Sequence, residues 1–174
     1  MKTPHIVGLL LAAATLVPMV AQAADGTINI GGTVAAATCA VAAPATFTVN
    51  LPTMSTAQLN AAGVTAGNTN FSVSVTGCTG SPTSATMYFE AGSTVDTVSG
   101  RLNNTGTATN VQIQLLNATG AVVDLSKAAG AQNSTAATIV SSAAKMNYTA
   151  RYYATAAAGV GTVISTVTYS VIYN

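Results

Sequence analysis

Few residues in this 174-residue chain have the chemistry for catalysis or metal binding. Its thiols are Cys39 and Cys78, and its carboxylates are Asp25, Glu90, Asp96 and Asp124. Its cations are Lys2, Arg101, Lys127, Lys145 and Arg151, and its one histidine is His5. General acid–base or nucleophilic catalysis needs titratable groups positioned against one another. Here the carboxylates stand singly and no histidine follows residue 5, so no catalytic residues are assigned and the chain is read as not an enzyme. The two cysteines lack C-x-x-C spacing and a basic neighbour that would lower a thiol pKa. Two thiolates also fall short of the four ligands that structural zinc takes, so no metal and no cofactor are expected. In an exported chain the expectation is one structural disulfide, Cys39 to Cys78, worth roughly 4 kcal/mol for a loop of about 40 residues.

Export is read from the first 23 residues. A short basic start (Lys2, His5), an apolar stretch from Ile6 to Val17 and the triplet Ala21-Gln22-Ala23 together have the form of a signal peptide, residues 1–23, with a small-x-small cleavage site. Later segments are too short and too interrupted to approach the ~20 apolar residues of a membrane-spanning helix. Removing the leader takes away Lys2 and His5 and leaves four cations against four carboxylates. A mature chain with no net charge has no basic face for phosphates, which argues against nucleic acid and against electrostatic membrane binding. Arg101, Lys127 and Lys145 read as isolated, solvated charges, and Arg151 as locally paired.

The elements that must carry these residues are short strands. Alternation of apolar and polar residues recurs at 70–76 (NFSVSVT), 85–90 (ATMYFE), 111–116 (VQIQLL) and 146–154 (MNYTARYYA). An extended segment from Ala35 through Cys39 to Val41 would be pinned by the cysteine pair to the strand at 70–76. Residues 55–67 read as a loop or a short helical turn, and glycine, asparagine and proline clusters punctuate the rest. About 150 mature residues with this pattern make one all-β sandwich, in which Tyr88, Phe89, Phe71, Phe47 and the later tyrosines supply much of the apolar bulk. Tyr148, Tyr152 and Tyr153 are weighed as a sugar-stacking surface and read instead as core and sheet surface.

Two strands have no local partner. Residues 161–174 (GTVISTVTYSVIYN) place Val163, Val167, Tyr169, Val171 and Tyr173 on one face, with Ser165 the polar exception. Residues 28–34 (INIGGTV) place Ile28, Ile30, Gly32 and Val34 on one face, with a side-chain gap at Gly32. An uncovered edge is an aggregation hazard unless a partner pairs with it. The expectation is that the early strand of one copy completes the sheet of another, a mode in which main-chain bonds supply affinity and alternate side chains supply register.

The order and spacing of these elements resemble the pilin subunits of chaperone–usher fimbriae of the type 1-like kind. The donor-like start ending in Cys39, NFSVSVTGC, NVQIQLLNATG, MNYTARYYAT, a glycine fourteenth from the end and a penultimate tyrosine carry the resemblance over essentially the whole mature chain. It implies an incomplete immunoglobulin-like β-sandwich lacking its last strand, completed by donor strand exchange. It implies residues 24–38 as an N-terminal donor-strand extension and 39–174 as the pilin domain. The donor positions carried over are Ile28, Ile30, Gly32 and Val34. The groove-edge and chaperone-binding strand carried over comprises Gly161, Val163, Val167, Tyr169, Val171, Tyr173 and Asn174, the last offering its carboxylate to a chaperone cleft. The doubled glycine leaves register open by one residue at Gly31/Gly32. The implied partners are copies of itself and related pilins, a periplasmic chaperone and an outer-membrane usher. The implied place is the cell surface, in a fimbria supporting adhesion and biofilm formation. A major rod subunit is the leading reading, with a minor adaptor pilin and a module that contacts host glycans directly as the alternatives.

Overall fold

The computed structural model describes residues 38–42 and 44–174, so the leader and Ile28, Ile30, Gly32 and Val34 lie outside the described residues. Among the described residues eight strands follow in chain order: β1 Thr38–Val41, β2 Thr65–Thr79, β3 Ser84–Phe89, β4 Leu102–Asn103, β5 Val111–Leu116, β6 Ala137–Thr138, β7 Ala144–Ala154 and β8 Tyr169–Tyr173. They form two antiparallel sheets, β1-β2-β7-β5-β4 and β6-β3-β8.

Period-two alternation decides which side chains enter the core. In β3, Ala85, Met87 and Phe89 are buried while Thr86 and Tyr88 are only partly covered; in β7, Met146, Tyr148 and Ala150 are buried. Phe89 meets Tyr148 edge to face, with centroids 5.3 Å apart, a favoured aromatic geometry. The aromatic bulk is thus more concentrated than expected. Phe89 and Tyr148 are core, Phe71 and Tyr88 are partly covered, and Phe47 is 39 % exposed, lying over Phe71 at 6.1 Å.

The strand expected at 70–76 runs from Thr65 to Thr79, so the loop expected over 55–67 gives its last three residues to β2. Among the described residues only Thr56–Leu59 is helical, as a single 3-10 turn. Residues 65–66 read as loop because Gly67 follows them, yet they pair with Tyr153 and Tyr152 ahead of a register shift between Ala66 and Thr69. Gly67 has φ +72°, and a Cβ there would come within 2.9 Å of the Tyr152 ring, so glycine serves both the bulge and the close ring contact.

Cys39 and Cys78 are bonded, joining the edge strand β1 to β2. The bond closes a separation of 39 residues, for which chain entropy gives roughly 4 kcal/mol. On the other sheet, the buried side chain of Gln132 acts as a one-residue strand. Its Oε1 accepts from Phe89 N at 2.9 Å and its Nε2 donates to Phe89 O at 2.7 Å.

Candidate assembly groove

The C-terminal segment forms an edge of the sheet β6-β3-β8. In an extended chain, successive peptide groups point to opposite sides. Even-numbered residues point theirs into the domain: Asn174 N donates to Ser84 O at 3.1 Å, Thr168 O accepts from Glu90 N at 2.9 Å, Ile164 O accepts from Thr105 N at 2.8 Å, and Thr162 O accepts from Ala108 N at 3.0 Å. The N–H and C=O groups of 163, 165, 167, 169, 171 and 173 therefore face away from β3. Among the described residues they have no backbone partner.

Side chains follow the same alternation. Val163, Val167, Tyr169, Val171 and Tyr173 all pack, partly buried, against the core. The facing wall is β1 and the residues after it, where Cys39, Val41, Val49 and Leu51 are likewise partly buried. Two tyrosines reach from one wall to the other. Tyr169 Oη donates to Ala45 O at 2.7 Å, and Tyr173 Oη donates to Cys39 O at 3.4 Å. Burial pushes the Tyr173 phenol pKa up, so it remains a donor. These bonds join the segment that carries β8 to β1 and the residues after it, so edge strands of the two sheets face each other over the apolar core.

One expectation needs correction. Residues 161–174 read as one strand, but only Tyr169–Tyr173 form a ladder. β3 ends at Phe89, so residues 162–168 have no strand beside them among the described residues. They are held instead by Asn104, whose Oδ1 accepts from Ile164 N at 2.7 Å and whose Nδ2 donates to Thr162 O at 3.2 Å, and by Thr94 Oγ1 on Thr166 O. Gly161, with φ +150°, lies so close to residues 107–108 that a Cβ would collide with Thr107 C and Ala108 N. Asn104 reads in the sequence only as part of an Asn-Thr-Gly turn. Its role depends on a contact 58 to 60 residues away, and nothing local signals it.

The loop carrying Thr94 is set by Asp96. Val98 N and Ser99 N donate to its Oδ1 and Gln112 Nε2 to its Oδ2, bonds that lower its pKa from 3.8 to about 2, Val98 foremost. Arg101 is not the isolated, solvated charge that the sequence suggests. It lies over the Tyr153 ring at 3.5 Å and donates to Gln112 Oε1 at 3.2 Å, because β4 and β5 bring these residues onto one sheet face. Arg151 pairs locally, with Nε and Nη2 on Gln114 Oε1 at 2.9 and 2.7 Å.

Residues 51–174 match the family model for FimA, the type-1 fimbrial protein. The chain belongs to the type-1 fimbrial protein family. Among relatives of this pilin, the major fimbrial subunit SMF-1 of Stenotrophomonas maltophilia is 47 % identical over 167 residues, covering 90 % of this chain and 97 % of that one. The F17 fimbrial protein of Escherichia coli is 39 % identical over 180 residues, covering 99 % and 98 %. A solved chaperone–usher pilus structure superposes with a TM-score of 0.61 at 19 % identity, covering 91 % of this chain and all of that one, which places the pilin in the same fold. That fold is the immunoglobulin-like sandwich with its last strand missing. The pilin is a structural subunit of a surface fimbria of the chaperone–usher pathway.

Proposed function

We propose that this pilin polymerises through a groove between β1 and β8. Residues 1–23 are removed on export, residues 24–38 are the donor extension, joined to the domain where Thr38 pairs in β1, and 39–174 form the body that accepts a neighbour's donor. Ile28, Ile30, Gly32 and Val34 of one copy lie in the groove of the next, between the walls that carry Val41 and Val163 to Tyr173. The single observation that supports this most is the row of inward-packed odd residues whose peptide groups, among the described residues, have no backbone partner. Burying two isoleucines and a valine there contributes roughly 5 to 9 kcal/mol as an upper estimate, before strand hydrogen bonds and ordering costs. Before assembly a periplasmic chaperone occupies the same groove, and the outer-membrane usher is where one strand replaces the other. The role is architectural, with no catalytic step, and its abundance is that of a rod subunit, as in the major subunit SMF-1.

The test joins donor and acceptor in one molecule. Residues 24–34 are deleted, and a short flexible linker followed by DGTINIGGTVAAA is added after Asn174, so that the strand returns antiparallel beside β8 at an effective concentration in about the millimolar range. A soluble monomer that needs no chaperone and melts far above the chaperone-released subunit is the expected result. Ile30→Asp in the added copy should remove most of that gain by burying an unpaired charge. Equal melting of the fused, unfused and Ile30→Asp proteins would overturn the reading.

A further inference from the structure

We propose that successive copies also meet end to end, with Val160 of the accepting copy seated in a hollow beside Cys78 of the copy whose donor strand it holds. This inference rests on the donor-strand reading above and adds a second contact surface to it. The strands define two ends of the domain. β8 runs from Tyr169, opposite Phe89, to Tyr173, opposite Ala85, and β2 reaches Thr79 just past the pair of Val75 with Ala144. One end therefore gathers Thr79, Ser84, Ala144 and Tyr173, tied together by Cys78 N on Ser142 O at 3.1 Å and Ile139 N on Thr83 O at 2.9 Å. The other end gathers the pair of Val111 with Ala154 and residues 104–109 and 158–164, tied by Ala108 N on Thr162 O and Gly159 N on Thr109 O, each at 3.0 Å.

Chain length brings unlike ends together. A donor antiparallel to β8 finishes with Val34 at the 162–164 end of the accepting copy. Thr38, four residues on, pairs with Thr79 at the opposite end of its own body. Even a fully extended chain covers at most about 14 Å in four residues, little more than the ~10 Å between packed sheets. The two bodies must therefore touch.

Each end has a feature that the free subunit leaves unused. Val160 is 85 % exposed, between Gly159 and Gly161. Its turn is anchored on both sides, by Gly159 N on Thr109 O and by Thr162 N on Thr107 Oγ1 at 2.9 Å, so the valine is held out to water. At the opposite end a hollow of about 390 Å³, lined by Cys78, Gly80, Pro82, Ile139 and Ser142, opens beside Thr79. The backbone around it is strained, since Ser81, Ser141 and Ser142 have φ of 57°, 51° and 59°, where serine is uncommon. Strain of this kind gathers at binding sites. No charged residue occurs in 78–84, 137–144, 104–110 or 155–168, so these ends meet without burying an ion. The contact is heterologous, a knob against a hollow, and repeats from copy to copy in one direction. It gives the joint between bodies an angle, which a strand in a groove does not by itself define.

The experiment isolates one pair of mature chains. The donating copy keeps residues 24–38 and has its own groove closed by DGTINIGGTVAAA, fused through a linker after Asn174. The accepting copy, released from chaperone, carries Ile30→Asp in its own donor, so assembly stops at two. Val160→Cys on the acceptor with Ser81→Cys on the donating copy should give a covalent pair on mild oxidation, and either change alone should not. The native cysteines are bonded to each other and do not compete. Val160→Asp should speed dissociation of the pair about 5- to 10-fold, the effect of losing a partly buried valine, while Val160→Ile keeps it slow. Release of the bare peptide DGTINIGGTVAAA from the Val160→Asp acceptor should be unchanged, as should melting of that acceptor. Failure to cross-link with unchanged pair dissociation, or equal speeding for pair and peptide, would overturn the contact and leave the donor reading standing. A donating copy with Ile30→Asp in residues 24–38 that pairs as well as its parent would overturn both.

Discussion

The last fourteen residues change their means of support at Thr168. From Tyr169 onward, β8 shares a ladder with β3 in which every second peptide is bonded to another peptide. From Thr162 to Thr168 the alternation of burial continues, but side chains of Asn104, Thr94 and Thr107 supply much of what a neighbouring strand would supply. Ladder bonds are spread over many residues, so losing one side chain costs little. Side-chain anchorage gathers several bonds on one residue, so the same loss releases a stretch of chain. The two halves of the groove wall should therefore respond differently to mutation.

The largest effect is expected at Asn104. Asn104→Ala removes bonds to Ile164 N, Gly106 N, Ala108 O and Thr162 O. At a net ~0.5 to 1.5 kcal/mol per bond, discounted for partial exposure, the cost is about 2 to 4 kcal/mol. Denaturant unfolding measures the total, and amide exchange locates it. Thr105 and Ala108 amides should lose protection while the Ser84 amide keeps it, and uniform loss would mean that the two halves act as one. Next comes Gly161→Ala, about 1 to 3 kcal/mol from a strained backbone that must also move off residues 107–108. The same two amides should report it, and a melting temperature equal to that of the parent would remove the case for a tight backbone contact there. In the ladder half, Tyr169→Phe deletes only the hydroxyl bond to Ala45 O and should cost about 0.5 to 1.5 kcal/mol. A larger loss than for Asn104→Ala would reverse the comparison.

The smallest effect is set by pH. The Asp96 carboxyl is depressed to about 2 in the folded chain from an ordinary 3.8. A depressed carboxylate contributes stability that is present above 3.8 and lost as pH falls from there towards 2. The Thr94 loop and residues 162–168 should loosen in that window, read as faster exchange of the Val98 and Ser99 amides, and Asp96→Asn should abolish the pH dependence. A wild-type profile flat from pH 4 to 2 would show that this turn is not held by the carboxylate.

Much of the sandwich could be read before any coordinates. The VQIQLL alternation marks β5 residue for residue, and β3 and β7 begin within two residues of the expected positions. β4 and β6, at two residues each, are too short to show a period. Alternation at 161–174 also gave the inward face correctly in kind, since Val163, Val167, Tyr169, Val171 and Tyr173 all pack against the core. It could not tell which backbone lay alongside, because period two reports only side-chain facing. Nor could it find Gln132, Asn104 or the tyrosine bridges. Each depends on a partner brought close by the whole fold, and polar residues among many others carry no pattern that announces such a partner.

Gln132 has a consequence for the shape of anything built from this subunit. By taking both backbone groups of Phe89, while β6 pairs with Ser84 and Ala85, it covers both ends of the far margin of β3, whereas β8 has no strand on its outer side among the described residues. On the proposed mode of assembly, a building block with one socket and one plug has a valency of two. Copies joined in this way line up in single file and cannot branch, so a side-chain amide on the far side of the sheet helps make the product a thread instead of a mesh.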